Sequence, residues 1–198
     1  MTNLISKTES FVLQLFKDKL SNIYVYHNFN HTKRVVESAK YLAEQKNLNK
    51  EDELILLLSA WLHDTGYTVS ENQHEKESKR IAKEFLEGIN VSQDIIRSVE
   101  KTIDVTQVGT PPNTEVEKII KDADCSHFAK DNFKEVSELL RQELSLRGQD
   151  YSADEWMNLN IELLSFVLLY RYPDLQIRRK QMCTDSHSIL KKLLFLKT

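Results

Sequence analysis

Hydrophobic residues recur every three or four positions along most of the chain, which is the spacing of one face of an α-helix. The first such segment covers residues 4–20. The second covers about 31–45, with an apolar stripe through Val35, Ala39 and Leu42. The same spacing predicts further helices over these approximate ranges: 51–63, 72–86, 92–105, 134–148, and from 174 onward. The pattern therefore predicts an all-α protein.

Capping residues mark the ends of several predicted helices. Two S/T-x-x-E capping boxes, Thr114 with Glu117 and Ser152 with Glu155, each predict the start of a helix. Single cap or stop residues are predicted at four other helix ends: Asn30, Ser92, Gly66 and Gly88. These local signals agree with the helical spacing around them.

The third segment differs from the others because its run 54-LILLLSAWL-62 is apolar on every side, which predicts a central helix packed by several neighbours. The composition agrees, since 198 residues include only four glycines and three prolines, with 40% hydrophobic and 29% charged residues. No repeat, low-complexity segment or linker interrupts the pattern. We therefore predict a single globular helical domain over residues 1–198.

Charge and cysteine content limit the partners and the compartment. The net charge of −3 gives no basic footprint for nucleic acid. Cys125 and Cys183 do not form a CxxC pair, which favours a reducing compartment. No signal-peptide pattern opens the chain, and no apolar run reaches the roughly 18–20 residues that a membrane-spanning helix needs. A cytoplasmic protein without membrane insertion is expected, and its oligomeric state is left open.

The central helix ends in a histidine and an aspartate, His63 and Asp64, which are costly to bury without compensation. Helical spacing also directs His31, His74 and Asp124 toward the core from three other helices. A single inward histidine is usually a satisfied core residue, but several together favour a metal site. Imidazoles and carboxylates suit divalent Mn, Fe, Co, Ni, Zn or Mg and leave positions open for water or substrate.

Three stretches resemble the HD superfamily of metal-dependent phosphohydrolases, in particular its small stand-alone proteins. They are 26-YHNFNHTKRVV-36, 58-LSAWLHDTGY-67 and 119-IIKDADCSHFA-129. The resemblance covers about residues 25–130, and residues 131–198 supply additional C-terminal helices. It implies an all-α HD-type fold that binds a divalent metal ion.

The resemblance also implies which residues hold the ion: His31, His63, Asp64 and Asp124. Asp122 is the rival to Asp124, and the second aspartate of the DAD stretch is preferred because it usually takes this place in the family. The expected reaction is hydrolysis of a phosphate ester or anhydride, with a nucleotide as the default small-molecule substrate. Asp64 is expected to act in catalysis as well, by orienting the attacking water.

Five further residues are candidates for contact with the substrate: His27, Lys33, Arg34, His74 and Lys121. The three cations lie close in sequence to proposed ligands and could hold phosphate oxygens. The residues after Asp64 lack the acidic residue and the GYP motif of better-known HD branches. The substrate preferences of those branches therefore do not carry over.

Three other functions remain open from the sequence. An HD module with little or no catalysis could sense a nucleotide and signal to a partner or to a further domain. A chain continuing beyond Thr198 would favour that function. Oxidative chemistry at a di-iron centre would need more ligands, for which His27 and His74 are available. A purely structural helical protein would not need His63 and Asp64 at the end of its most buried helix.

Overall fold

The computed structural model describes residues 2–129 and 132–170, and it confirms the all-α prediction. Its helices are α1 (Thr2–Lys19), α2 (Phe29–Gln45), α3 (Lys50–Leu62), α4 (His74–Gly88), α5 (Gln93–Asp104), α6 (Glu115–Asp124), α7 (Phe133–Leu146) and α8 (Ala153–Tyr170). Short 3-10 turns occupy Thr65–Thr68 and Ser126–Ala129. The helix predicted from residue 174 onward lies outside the described residues. None of the helices in the described ranges is long and apolar enough to cross a membrane.

Backbone contacts divide the chain into two compact units, one ending at Ser126 and the other beginning at His127. The first unit contains α1 to α6, and the second contains α7 and α8. That residues 1–198 form one domain stays a prediction.

The predicted central helix is confirmed in the first unit. Every residue of α3 from Ile55 to Leu62 is buried, and the helix contacts α1, α2, α5 and α6. Leu56, Leu58 and Leu62 have no exposed surface. Full burial of each of these side chains stabilises the fold by about 1.5–3 kcal/mol. The helices α2, α3 and α6 all contact one another, so α3 packs against both helices that carry the other candidate ligands.

The prediction that Asn30 caps α2 is wrong, because the helix begins two residues earlier and its cap is Asn28. The Asn28 backbone is extended, and its side-chain oxygen accepts from the backbone N–H groups of Asn30 and His31. Its amide also donates to the Val25 carbonyl oxygen at 2.7 Å, which fixes the side chain. This earlier start places His31 within the first turn of α2.

The sequence predicts Gly66 as a helix stop, but the structure gives it a different role. It lies within the 3-10 turn after α3 and touches the first turn of α4. Its backbone N–H donates to Ser78 Oγ at 2.8 Å. A Cβ atom built on Gly66 would lie 1.9 Å from the His74 carbonyl oxygen. Only glycine therefore lets this turn approach α4 so closely.

In the second unit, a buried polar network joins α7 to α8. Trp156 Nε1 donates to Ser137 Oγ at 3.0 Å, and Ser137 Oγ donates to Asn160 Oδ1 at 2.9 Å. The Asn160 amide donates to the Trp156 carbonyl oxygen at 2.7 Å. Buried polar groups that are satisfied in this way fix a single arrangement of the two helices.

Both predicted capping boxes are present. At the start of α6, Thr114 Oγ1 accepts from the Glu117 N–H, and the Glu117 carboxylate accepts from the Thr114 N–H. At the start of α8, Ser152 and Glu155 exchange the same pair of hydrogen bonds. Ser92 occupies the cap position of α5 but makes no side-chain capping bond.

We expect Thr114→Ala to lower the free energy of unfolding by about 1 kcal/mol, because the Glu117 N–H at the start of α6 loses its acceptor. Ser92→Ala is the matched control, and it should cost less than about 0.5 kcal/mol since no capping bond is lost. Urea denaturation of the full chain measures both values. Equal losses in the two variants would contradict the importance of the capping box.

Candidate metal centre

Three helix ends of the first unit bring four candidate ligands together. His31 lies in the first turn of α2, His63 and Asp64 directly follow α3, and Asp124 is the last residue of α6. His31 and His63 are only 2% and 1% exposed, respectively. The Asp124 side chain is 30% exposed, so the cluster is accessible from the side of this carboxylate.

The atoms that would face a metal ion lie close to one another. Asp64 Oδ2 is 3.2 Å from Nε2 of His31 and 3.2 Å from Nε2 of His63. Asp124 Oδ1 is 3.2 Å from His31 Nε2 and 3.8 Å from His63 Nε2. Ligand atoms of His31, His63 and Asp124 all fall within 4.8 Å of one another.

These spacings fit a divalent ion. Metal–ligand bonds of about 2.0–2.2 Å separate neighbouring ligand atoms by roughly 3.0–3.5 Å in octahedral or tetrahedral geometry. His31 Nε2, His63 Nε2 and Asp64 Oδ2 are also buried without a hydrogen-bond partner. Asp64 Oδ2 lies within ion-pair distance of both Nε2 atoms, but the groups are not oriented for hydrogen bonds. Buried polar atoms without hydrogen bonds are rare in proteins, and a shared cation would satisfy all three.

The tautomer of His63 agrees with ligation through Nε2. Its Nδ1 lies 2.9 Å from the Ala60 carbonyl oxygen, and a carbonyl can only accept, so Nδ1 donates. In the neutral ring this leaves the Nε2 lone pair directed at the carboxylates. Histidines that bind metals usually donate their other ring N–H to a carbonyl or carboxylate in this way.

The metal-free cluster has strongly perturbed protonation. Burial alone would lower the pKa of His63, but the nearby Asp64 and Asp124 carboxylates raise it well above its ordinary value. The pKa of His31 is raised for the same reason. Burial alone would raise the pKa of Asp64, yet the two imidazoles lower it well below its usual range. The pKa of Asp124 is lowered as well. Without an ion, the site therefore favours imidazolium and carboxylate groups.

Asp122 and Asp124 occupy different positions relative to the cluster. Asp124 Oδ1 approaches both imidazoles, and Asp124 belongs to the possible metal-binding group. Asp122 is half-buried. The two residues are separated by about 200° around α6, so they lie on nearly opposite faces.

His27 and His74 lie in a group of stacked rings beside the cluster. Half-buried His27 is in the connector before α2, with its ring centroid 5.6 Å from that of His31. The His74 side chain is 21% exposed, and its ring stacks on Tyr67 at 4.1 Å. Tyr67 also stacks on His27 at 4.6 Å. The structure thus connects His74 to the cluster through Tyr67.

The tyrosines near the proposed ligands are core residues. Tyr24, Tyr26 and Tyr67 are each less than 10% exposed. Their burial gives them a packing role, and the Tyr26 ring lies against the His31 ring at 4.8 Å.

The three cations proposed to hold phosphate have different environments. Lys121 is 9% exposed, and its ammonium donates to the carbonyl oxygens of Val105 and Gln107 in the loop before α6. These bonds give Lys121 a structural role. Lys33 is exposed, whereas Arg34 is half-buried one turn after His31. Arg34 therefore has the position most favourable for contact with a bound anion.

Comparison with known families agrees with this geometry, because the family model for the HD domain matches residues 28–129, which include all four candidate ligands. The chain belongs to the HD domain family. Members of this family are mostly metal-dependent hydrolases, and HD domains bind divalent metals. The resemblance inferred from the three sequence stretches is thereby confirmed.

A solved structure shares the HD-type fold. The crystal structure of a structural-genomics target from Lactobacillus plantarum matches 100% of this chain and 96% of its own, with a TM-score of 0.72. The two sequences are 16% identical, so the likeness concerns the fold alone. No curated protein matches the chain.

Metal binding to this HD domain should release protons. The raised pKa values of His31 and His63 stabilise the metal-free fold below the ordinary histidine pKa of about 6.5, and this stabilisation is lost as the pH rises through the raised values. An ion must displace these protons. We expect Mn²⁺ affinity to increase from about pH 6 to about pH 8, with at least one proton released per ion. Titration calorimetry in buffers of different ionisation enthalpy measures both, and a pH-independent affinity would contradict the expectation.

Proposed function

We propose that this HD domain protein is a phosphohydrolase that cleaves a phosphate ester or anhydride, with a nucleotide as the expected substrate. In this proposal His31, His63, Asp64 and Asp124 hold a divalent ion. The observation that carries the proposal is the convergence of two buried Nε2 atoms and Asp64 Oδ2, none of them hydrogen-bonded, with Asp124 Oδ1 at the accessible side. Membership of a family composed mostly of metal-dependent hydrolases supports it.

When bound, the ion supplies an acidified water and offsets negative charge on the phosphoryl group. The chain contributes the arrangement of groups around it. The Asp64 carboxylate turns Oδ2 toward both imidazoles, which leaves Oδ1 as the acceptor that orients the attacking water. The Nδ1 bond to the Ala60 carbonyl fixes the His63 ring. Burial of His31, His63 and Asp64 limits competing contact with solvent.

Arg34 is the cation that we propose to bind the phosphate. It makes no hydrogen bond or ion pair within the part of the chain that the structure describes. Burial is the main reason that the pKa of Tyr26 lies well above its usual value, and the charge of Arg34 opposes this shift. Because Tyr26 packs against His31, the positive charge of Arg34 acts close to the cluster. A guanidinium in this position can bind two phosphate oxygens at once.

Arg34→Gln should raise KM for the substrate about tenfold or more, because a charge-assisted hydrogen bond to phosphate contributes about 1.5–3 kcal/mol. Lys33→Gln is the matched control. It removes the same charge from the adjacent exposed position and should change KM less than about twofold. Steady-state phosphate release measures both variants. A larger increase in KM for Lys33→Gln than for Arg34→Gln would mean that Lys33, and not Arg34, binds the phosphate.

His27 is the imidazole that we expect to meet the substrate. It is half-buried in the connector before α2 and adjoins the His31 ring. The nucleobase, by contrast, has no platform among Tyr24, Tyr26 and Tyr67, since all three are buried.

The test of this function begins with elemental analysis of protein purified without chelators or nickel affinity resin. One tightly held ion per chain, together with phosphate release from a panel of nucleotides, is the expected result. Two iron ions per chain would instead favour oxidative chemistry. Nucleotide binding without turnover in the loaded protein would favour the sensing function.

A further inference from the structure

A series of ring contacts connects the start of α4 to the candidate metal centre. His74, the first residue of α4, stacks on Tyr67 with centroids 4.1 Å apart and planes inclined by 14°. Tyr67 stacks on His27 at 4.6 Å and 27°. His27 then meets His31 edge-on at 5.6 Å and 75°. The Tyr67 ring therefore lies between His74 and His27, and His27 also meets the Tyr26 ring edge-on at 4.7 Å.

Both ring nitrogens of His74 lie beside groups of its own segment. Nδ1 lies 3.1 Å from the Glu71 carbonyl oxygen, to which it donates. Nε2 faces Glu75 Oε1 at 3.4 Å. The rings of Tyr67 and His27 lie between His74 and His31. The part of His74 that acts toward the cluster is the face of its ring, which covers Tyr67.

The backbone fixes the distance between the two stacked rings. Gly66, the residue before Tyr67, donates its N–H to Ser78 Oγ on α4 at 2.8 Å. Gly66 also lies so close to the His74 carbonyl that a Cβ atom would not fit between them. The contacts of Gly66 with Ser78 and with the His74 carbonyl therefore hold the turn that carries Tyr67 against the start of α4. These contacts set the distance at which the Tyr67 and His74 rings stack.

We propose that His74 is a positioning residue, which supports Tyr67 so that Tyr67 holds His27 beside His31. His74 itself binds neither the ion nor the phosphate. The effect on substrate rests on the proposed function, in which His27 meets the phosphate. The effect of His74 on the position of the His27 ring does not depend on the proposed function. This assignment replaces direct contact of His74 with the substrate by an indirect role.

The test compares His74→Phe, which keeps an aromatic face on Tyr67, with His74→Ala, which removes it. The His27 imidazole signals are followed by NMR in the full chain, both metal-free and loaded with Mg²⁺. Calorimetry gives the affinity for Mn²⁺ and then the affinity of the Mn²⁺-loaded protein for inorganic phosphate. Glu75→Gln is the control, because it removes the charge facing Nε2 and leaves the stacked ring in place.

We expect His74→Phe and Glu75→Gln to keep the His27 signals and to hold both affinities within about twofold. His74→Ala should shift the His27 signals and weaken phosphate binding about two- to tenfold, the range that corresponds to loss of one ring stack. Its Mn²⁺ affinity should stay within about twofold of the wild-type value. The phenylalanine variant keeps the test valid even if the alanine variant folds poorly.

Two results would overturn the proposal. Loss of Mn²⁺ affinity by more than about tenfold in both His74 variants would make His74 a metal ligand. Unchanged His27 signals in a folded His74→Ala protein would show that the stack does not position His27. If the loaded wild-type protein neither binds phosphate nor hydrolyses nucleotides, the proposed function fails, and the NMR comparison still decides the positioning role.

Discussion

Asp64→Asn and Asp124→Asn should each abolish tight metal binding and lower hydrolysis by more than about 100-fold, beyond the 10- to 100-fold typical of residues that only support a metal ligand. Asparagine keeps the size of the side chain but removes the negative charge that binds a divalent ion. Metal content and Mn²⁺ calorimetry measure the first effect, and phosphate release measures the second. Helical content should remain close to that of the wild type, because both residues lie at helix ends.

Asp122→Asn is the matched control for these variants. It makes the same substitution on the same helix, two residues before Asp124. We expect metal affinity and hydrolysis to stay within about threefold of the wild type. Full activity in a metal-free Asp64→Asn protein would refute the mechanism. Loss of metal from Asp122→Asn but not from Asp124→Asn would exchange the roles of the two aspartates.

The size of this expected effect follows from the burial of the cluster. His63 and Asp64 end the most buried helix of the first unit, and burial of either charged group is costly without compensation. In the metal-free protein the imidazoles and carboxylates compensate one another, as the opposite shifts of their pKa values show. A divalent ion would replace the protons on the two imidazoles. It would also compensate both carboxylates.

Helical spacing and cap chemistry predicted much of the first unit because both are local properties of the sequence. The continuous apolar run predicted that α3 would be buried on all sides. The capping box at Thr114 correctly gave the start of α6. The same spacing directed His31 and Asp124 inward on separate helices. The HD resemblance selected Asp124 over Asp122, and the structure places the Asp124 carboxylate beside both imidazoles.

Features that depend on distant parts of the chain were not predictable in this way. Helical spacing favoured Asn30 as the cap of α2, and the bond from Asn28 to the Val25 carbonyl, which fixes the true cap, forms only in the folded chain. The lysine at 121 binds loop carbonyls 14 and 16 residues earlier. Ser78 and Gly66 meet across a turn and a loop. A glycine two residues after the HD pair, in a chain with four glycines, was the one sequence signal for this contact.

Gly66→Ala should lower the free energy of unfolding by about 3 kcal/mol or more, at or above the upper end of the cost of overpacking a core. The new Cβ would lie 1.9 Å from the His74 carbonyl oxygen and 2.7 Å from the Ser78 backbone nitrogen. Both neighbours are backbone atoms, so the turn and α4 must move apart. Urea denaturation in the presence of a chelator measures this loss without a contribution from bound metal.

The same displacement should reach the metal centre, because Gly66 is two residues from Asp64 and adjoins Tyr67. A shift of about 1 Å in positioned catalytic groups costs about 100-fold in rate, so we expect hydrolysis by Gly66→Ala to fall by about 10- to 100-fold.

Gly88→Ala is the matched control. Gly88 is the exposed last residue of α4, and a Cβ there meets nothing within 4 Å. Alanine at that position should leave activity unchanged and stabilise the fold by up to about 1 kcal/mol. A stable, fully active Gly66→Ala protein would mean that the close approach of the turn to α4 is not needed to form the site.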